Sequence, residues 1–556
     1  MPEALHLPPW LPLLIGALAL PVLPDLLRRV VSVLAPAAAL ALVVFLPTGD
    51  IETLGIVLRI DALSRVFACA FALIGLAGAV FGLGRTKSFD VAGGLLNVGS
   101  ALAAVTARDW LTLFIAWELL AVSSLIVLWS SDSPKAKGAG LRYFLLHAGG
   151  GAVLLVGLVL HGASGSWGEI TTMPLDGPAS WWVLAGVLIN AGAPPLSAWV
   201  ADAYPEASPS GTVFLSACTT KTAVYVLLRC FTGNDVLIWI GLWMVFYGIV
   251  YALLENDMRR ILAYSIVNQV GFMVCGAGIG TELAIAGAAG HAFAHILYKG
   301  LLLMSAGAVL EVTGKRKCTE LGGLWRAMPW TMTCGTIGAL AISAFPLTSG
   351  FVTKSLVTSA AEKQQLAVPW FLLTAASAGV FLHAGIKFPW FVFFHRDRGL
   401  KATEAAWPAR IAMGAVALGC ILPGIWAAPL HARLPGAPTY HAYESGHLVA
   451  HLQLLLFAGL AFFVALPFLE RTRTLTLDTD WLWRRLGPAV VDAFSGPWRL
   501  AGQGVDAVVG AGSKTLTSWL SPLTVSGMGR RLETGALWLG LLLLLQLVIG
   551  LMTRSA

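Results

Sequence analysis

The residues most able to do chemistry are charges set inside long apolar runs: Glu118 in LTLFIAWELLAVSSLIVLW, Lys221 in FLSACTTKTAVYVLL and Lys299 in HAFAHILYKGLLLMSAGAVL. A charge at bilayer depth costs roughly 3 kcal/mol or more unless it is paired or hydrated, so such residues mark ion paths or relays by default. Glu118 is flanked by apolar residues on both sides from Trp110 to Trp129. A carboxylate there can take up and release a proton as a cationic partner retreats or approaches. Lys221 sits in a Cys-Thr-Thr-Lys-Thr run whose hydroxyls can hold water near its ammonium. His291, His295 and Lys299 recur at intervals of four, which puts all three on one helical face. Stacked about 6 Å apart, they suit a hydrated proton wire. Two histidines four apart can also bind zinc, but no carboxylate follows in the HExxH pattern, so the relay is the better reading.

Two further lysines join the candidates. Lys354, in FPLTSGFVTKSLV, stands just after an interruption marked by Pro346 and Gly350, where unwound backbone can meet an ion or water. Lys387, in FLHAGIKFPWFVFF, lies near a span exit with His383 four residues before it, and snorkelling to the interface competes with a role on the path. The remaining polar groups take plainer readings. His147 and Asn190 suit helix-to-helix hydrogen bonds, while Asp61, Asp202, Glu206 and Asp257 fall near span ends. His383, His395, His431, His441, His447 and His451 mostly flank loops and read as surface residues.

The elements that must hold these groups are membrane helices. With 556 residues, 57% hydrophobic and 12% charged, the chain is far too apolar for a soluble domain, where about 25% charge is usual. It is predicted to be an all-α polytopic membrane protein. The net charge of +7 does not point to nucleic acid, because the basic residues fall in short loops and form no stripe with interleaved aromatics. The seven cysteines are scattered, without CxxC or Cys/His metal spacing, and are expected to be free buried thiols. The sequence offers no phosphate loop, iron–sulfur or haem pattern and no nucleophile triad, so no cofactor and no redox centre is expected in the chain. The first apolar stretch, 11–27, has no basic n-region and runs on into further spans, which argues against a cleavable signal.

At about 20 apolar residues per helix, candidate spans fall at 9–27, 30–47, 63–84, 91–106, 110–130, 141–161, 181–200 and 211–230. Others follow at 236–254, 261–278, 282–310, 329–362, 370–394, 408–427, 449–468 and 536–553. That gives about 14–16 transmembrane helices, with 329–362 predicted to be broken. Basic residues cluster after odd-numbered spans: Arg28 and Arg29, Arg85 and Lys87, Lys135 to Arg142, Arg259 and Arg260, Lys315 to Lys317, and Arg396 to Lys401. The positive-inside rule then places those exits in the cytoplasm and both termini outside. Between the last two spans, residues 478–533 mix Trp481, Trp483 and Trp519 with paired arginines, which suits interfacial helices on the cytoplasmic surface or a loosely ordered loop.

The segments WELL, PPLSAWVADAYPEASPSGTVFLSACTTKTAVYVLLR, ENDMRRILAYSIVNQVGFM, HAFAHILYKGLLLMSAG and FPLTSGFVTKSLV occur in the order found in one family. From about residue 60 to 400 the chain resembles the large antiporter-like membrane subunits shared by respiratory complex I and the Mrp-type multisubunit cation/proton antiporters, and its wording looks most similar to the D-type member of the antiporter set. The resemblance implies two inverted five-helix repeats, each with a broken helix, and a charged axis along the membrane middle. It divides the chain into N-terminal helices (1–90), an antiporter-like core (91–400) and C-terminal helices (401–556). On that resemblance Glu118 is the helix glutamate, Lys221 the lysine of the following helix pair, Lys299 the link between half-channels and Lys354 the lysine of the second broken helix. Arg259 stands where the family's DxKR loop usually has lysine. Asn190 stands where the family usually places the ion-pair lysine for the glutamate, so Lys221 or His147 must supply the cation, or the first half-channel works differently or not at all. Two functions follow: a subunit exchanging Na⁺ for H⁺ in a multisubunit antiporter, or a proton-pumping subunit of a quinone oxidoreductase or membrane hydrogenase. A weaker third option couples ion entry to inorganic-carbon uptake. Partners would be other membrane subunits, lipid, H⁺ and Na⁺, at the cell inner (plasma) membrane.

Overall fold

The computed structural model describes residues 6–85, 87–162 and 168–469, with isolated positions between 478 and 489. In lipid every backbone N–H and C=O must be satisfied within its own segment, so the apolar runs have little choice but helix. The helices are α1 (Leu11–Ala19), α2 (Asp25–Phe45), α3 (Ala62–Gly82), α4 (Ser88–Thr106), α5 (Trp110–Trp129), α6 (Pro134–Gly162), α7 (Pro178–Ala191), α8 (Trp199–Ala203), α9 (Pro209–Ala217) and α10 (Thr219–Cys230). They continue as α11 (Asp235–Leu254), α12 (Met258–Ile279), α13 (Glu282–Thr313), α14 (Pro329–Ile342), α15 (Ser349–Lys363), α16 (Ala367–Val380), α17 (Trp407–Ile425), α18 (Ala428–His431) and α19 (Ser445–Val464). Among the described residues, 12 helical segments are long and apolar enough to cross a membrane, with α9 and α10 counted as one. Shorter pieces, α1, α7 with α8, and α14 with α15, account for the other predicted spans up to residue 468. The predicted span 536–553 and most of 478–533 lie outside the described residues. Residues 1–479 form one compact unit, and 480–556 are assigned to a second.

Four features depart from the predicted layout. The first span holds only nine helical residues, about 14 Å at 1.5 Å per residue, well short of a bilayer core. The predicted span 181–200 stops at Ala191, where Gly192 takes φ 76° and the chain turns through Pro194 and Pro195. A β-hairpin, Gly49–Thr53 paired with Ile56–Ile60, interrupts the helices. Its two turn residues, Leu54 and Gly55, both have positive φ, the backbone that lets a two-residue loop follow strand twist. Finally, 211–230 is two helices, because the chain breaks at Cys218.

Polar contacts at the helix ends sort the loops into two faces. On one, Lys87 pairs with Asp132 at 2.5 Å, Arg85 with Glu311, and Arg316 with both Glu206 and Asp257. This face carries the basic loops after the odd-numbered spans. On the other, Arg108 bridges Asp50 and Glu169, and Arg229 holds Asp61 at 2.6 Å. Asp61 is also the N-cap of α3, in a capping box with Ser64. Burial raises the Asp61 carboxyl, but the Arg229 guanidinium outweighs it and holds the group below its ordinary range.

Small residues set how closely the core helices approach. A Cβ at Gly241 would lie 2.5 Å from the Cys275 backbone nitrogen, and one at Gly248 would lie 2.6 Å from that of Asn268. Glycine at both positions is what lets α11 and α12 run backbone to backbone. Gly248→Ala should therefore pry the pair apart and lower the melting temperature of the purified protein by several degrees, at about 1–3 kcal/mol for overpacking. An unchanged melting temperature would mean that the two helices have slack.

Candidate functional site

Glu118 projects from α5 against α6, where a Cβ on Gly151 would come within 1.8 Å of its Oε1. That oxygen is buried and has no hydrogen-bond partner among the described residues. One turn away on α6 is His147, 1% exposed, whose Nδ1 lies 2.8 Å from the Tyr143 carbonyl oxygen. A carbonyl only accepts, so the proton is on Nδ1 and Nε2 is left as a buried acceptor without a partner. The expectation that His147 is satisfied by interhelical hydrogen bonds is thus corrected, and the Asn190 Oδ1 also has no hydrogen-bond partner among the described residues. Of the two residues expected to partner Glu118 in place of the missing lysine, His147 is the one on the helix that packs against it.

From His147 the polar groups continue inward. The Tyr143 ring stacks on the imidazole at 3.8 Å between centroids, and its hydroxyl lies 3.0 Å from Thr219 Oγ1. Thr219 opens α10, two residues before Lys221. The break at Cys218 explains how Lys221 is accommodated: its Nζ donates to the freed Ser216 carbonyl at 2.6 Å and to Thr220 Oγ1 at 3.0 Å. Lys221 is fully buried and has no carboxylate partner among the described residues. The Thr220 hydroxyl therefore meets the ammonium directly.

The three groups of α13 share one helix face, as their spacing predicts, but they point to different neighbours. His291 and His295 stack with centroids 6.2 Å apart. His291 reaches Gln269 Oε1 at 3.2 Å and Thr353 Oγ1 at 3.3 Å, and the Tyr298 hydroxyl donates to the same Gln269 oxygen at 3.0 Å. Both ring nitrogens of His295 are buried and have no hydrogen-bond partner among the described residues, and the ring packs edge-on against Tyr298 at 5.2 Å between centroids. Lys299 donates to Ser265 Oγ and to the Leu262 carbonyl on α12. No group of three metal-ligating side chains occurs among the described residues.

The second break behaves like the first. Between α14 and α15 the chain passes through Ala344 and Leu347, both with positive φ, and Lys354 Nζ donates at 2.8 Å to Ile342, the last carbonyl of α14. Its ammonium also sits 4.8 Å from the centre of the Phe272 ring. Thr353, its neighbour in sequence, joins it to His291. Lys221, His295, His291, Lys299 and Lys354 are thus buried on α10, α13 and α15, with Glu118 on α5 half-buried against α6, and these groups together are the polar belt of the site.

Lys387 stands apart. Its Nζ donates to the carbonyls of Ala252, Leu253 and Glu255 at 2.7, 2.9 and 2.6 Å, so it caps the C-terminal end of α11. His383, read from sequence as a surface residue, is instead fully buried, with Nδ1 on the Gly379 carbonyl and Nε2 without a partner among the described residues. It lies on a π-helical stretch, Phe381–Lys387. The signal that could have found it is its place four residues before Lys387 in an apolar run. His431 is also buried, at 6% exposure. Arg259, at the start of α12, donates to the Ala207 carbonyl at 2.9 Å and to Thr212, holding the entry to α9.

Two outcomes are expected from this geometry. Gly151→Ala should displace the Glu118 carboxylate and remove its function, whereas Gly149→Ala, where a Cβ meets nothing within 4 Å, should be neutral; equal ion-exchange rates in the two variants would contradict the placement. Lys387→Ala should cost on the order of 3 kcal/mol of stability by stranding three carbonyls. A loss of transport at unchanged melting temperature would return Lys387 to the ion path.

Known proteins share both the sequence and the fold that carry this belt. Residues 107–382 match the family model described as NADH:quinone oxidoreductase/Mrp antiporter, TM. The chain is 28% identical over 405 residues to the A/B component of a probable K(+)/H(+) antiporter of Rhizobium meliloti (strain 1021), covering 67% of this chain and 40% of that protein. It is 26% identical over 431 residues to hydrogenase-4 component B of Escherichia coli (strain K12), covering 68% and 64%. The chain thus spans about half the length of the curated relatives it matches. A chain of the membrane-bound sulfane sulfur reductase, an archaeal respiratory membrane complex, has the same fold, with TM-score 0.72 at 22% identity over 97% of this chain and 99% of that one.

Proposed function

Over residues 107–382 the chain belongs to the NADH:quinone oxidoreductase/Mrp antiporter family, and from that premise we propose that it is an ion-translocating membrane subunit of a multisubunit monovalent cation/proton antiporter, with Na⁺ as the exchanged cation. Its place is the cell inner (plasma) membrane, beside other membrane subunits of the complex. The transport core is assigned to residues 91–400, flanked by residues 1–90 and by the C-terminal part from 401, of which the described residues run to 469. The observation that carries the reading is the buried belt itself. Lys221, Lys299 and Lys354 have no carboxylate within ion-pair distance among the described residues, and each donates instead to a hydroxyl or a backbone carbonyl, Lys221 to Thr220, Lys299 to Ser265 and Lys354 to Ile342. A structural ion-pair network would match each ammonium with an acid; an array of lone ammonium groups and open imidazoles is suited to passing a proton along.

In this reading Glu118 takes or releases a proton at the α5–α6 contact, with the open Nε2 of His147 one turn away as the group that accepts and returns it. Tyr143 and Thr219 link that site to Lys221. His295 and His291 carry the proton between the halves, Lys299 sits at the join, and Lys354 serves the second half. The substitution of Asn190 for the family's usual lysine leaves His147 as the partner of Glu118. The runner-up is a proton-pumping membrane subunit of a redox complex, favoured by the likeness to hydrogenase-4 component B. The same belt serves either, so the partner subunits decide between them.

Glu118→Gln keeps the shape of the side chain and removes its titration. In everted vesicles carrying the assembled complex, Na⁺-driven collapse of a pH gradient, read by fluorescence dequenching, should fall at least tenfold with assembly intact. Exchange at the wild-type rate would take Glu118 off the path. Small antiporter subunits that co-purify with the chain support the antiporter, whereas flavin or iron–sulfur subunits would overturn it in favour of the redox complex.

A further inference from the structure

The second helix break leaves backbone groups that its own two helices do not close. α14 and α15 are 14 and 15 residues long, each short of a bilayer core, and the link 343–348 between them passes through Ala344 at φ 57° and Leu347 at φ 68°. Neither residue is glycine, so this backbone is strained and persists only where its surroundings over-determine it. Part of the link closes on itself, with the N–H groups of Ala344 and Phe345 on the carbonyls of Ala341 and Leu340 at 3.1 and 3.0 Å. Three groups turn outward instead. The Ile342 carbonyl takes Lys354 Nζ at 2.8 Å, while the Ala344 carbonyl and the Leu347 N–H meet side chains from the C-terminal part of the chain.

Those side chains lie beyond residue 382, where the family match ends. His451, on α19, has Nε2 2.9 Å from the Ala344 carbonyl oxygen, and because a carbonyl only accepts, Nε2 carries the proton and donates. The Tyr443 hydroxyl accepts from the Leu347 N–H at 3.0 Å and donates in turn to the carbonyl of Gly424, one residue before the end of α17. Gly424 itself lies directly on the link, since a Cβ there would come within 2.4 Å of the carbonyl carbons of Leu347 and Thr348. The two polar side chains share one backing. The Phe351 ring packs against Tyr443 at 5.1 Å and against His451 at 5.4 Å between centroids. The link is thereby held at a carbonyl near one end and at an N–H near the other.

We infer that Tyr443 and His451 are positioning residues for Lys354: by fixing the two ends of the link they hold Ile342 in the orientation in which its carbonyl accepts from the ammonium. Ala344 is 1% exposed, so its carbonyl has no bulk water to turn to, and a link freed at either bond can relax its strained residues and rotate the Ile342 carbonyl away. Neither side chain exchanges a proton in this role. Each contributes one hydrogen bond to backbone. That the held ammonium serves ion exchange rests on the reading above, whereas the grip on the link does not.

The test compares side chains that keep or lose one hydrogen bond each, in the assembled complex. Tyr443→Phe keeps the ring and removes the hydroxyl, His451→Leu removes the donor, and His451→Gln restores an N–H donor without a titrating ring. Hydrogen exchange over residues 343–350, read by mass spectrometry, should quicken at least fivefold in Tyr443→Phe and His451→Leu and return toward the wild type in His451→Gln. Cation/proton exchange in proteoliposomes should fall at least fivefold in the first two and recover to at least half the wild-type rate in the third. Unchanged hydrogen exchange in Tyr443→Phe and His451→Leu would overturn the grip. Full transport in both, with the link loosened, would overturn its bearing on Lys354, and a His451→Gln complex as slow as His451→Leu would overturn the donor role. Wild-type transport by Lys354→Met would instead fail the transport reading and leave the grip, read by hydrogen exchange alone, standing.

Discussion

An ammonium group taken out of water must find oxygen, and in this protein almost every buried lysine finds it on backbone carbonyls that the helices have released. Lys221 takes Ser216 at the Cys218 break, Lys354 takes Ile342 at the end of α14, and Lys387 takes the last turn of α11. Lys299, in an unbroken helix, leans on Leu262 and the Ser265 hydroxyl of α12. Each charge-assisted bond contributes about 1.5–3 kcal/mol, the same order as the roughly 3 kcal/mol that a centred charge costs. The helix breaks thus supply oxygens to which Lys221 and Lys354 donate, with no acid beside either among the described residues. Carboxylate partners would have been more stabilising and would have locked the charges in place.

The same constraint separates what could be read in the chain from what could not. Charges inside apolar runs are conspicuous because their cost is intrinsic to the residue, so Glu118, Lys221, Lys299 and Lys354 stand out without any structure. The break at 343–348 is foreshadowed by Pro346 and Gly350. The break at Cys218 is not, since FLSACTTKTAVYVLL contains neither residue and its helix is interrupted by the demand of Lys221 for a carbonyl. The hairpin at 49–60 lacks a strong polar turn signal, and Leu54 adopts a positive φ unusual for leucine.

Histidines were the least legible class. His383 resembles a loop-flanking residue in sequence and is wholly buried, while His451 lies on a helix whose partner in the link only tertiary packing supplies. Lys387 shows the converse: a charge in an apolar run whose partners are the end of a neighbouring helix. Spacing along one helix could place His291, His295 and Lys299 on a common face. It could not say that Lys299 reaches α12 while the histidines reach Gln269 and Thr353, because those partners lie 22 to 62 residues away.

The central claim is that the two halves of the belt conduct as one path, joined at Lys299. Proton flux into proteoliposomes carrying the complex with Lys299→Met measures this most directly, because methionine keeps the volume and removes the charge and the donor. The account predicts that flux falls to the level of empty liposomes while the complex remains assembled. Flux at the wild-type rate would mean that protons cross without passing the join, and that the belt is structural.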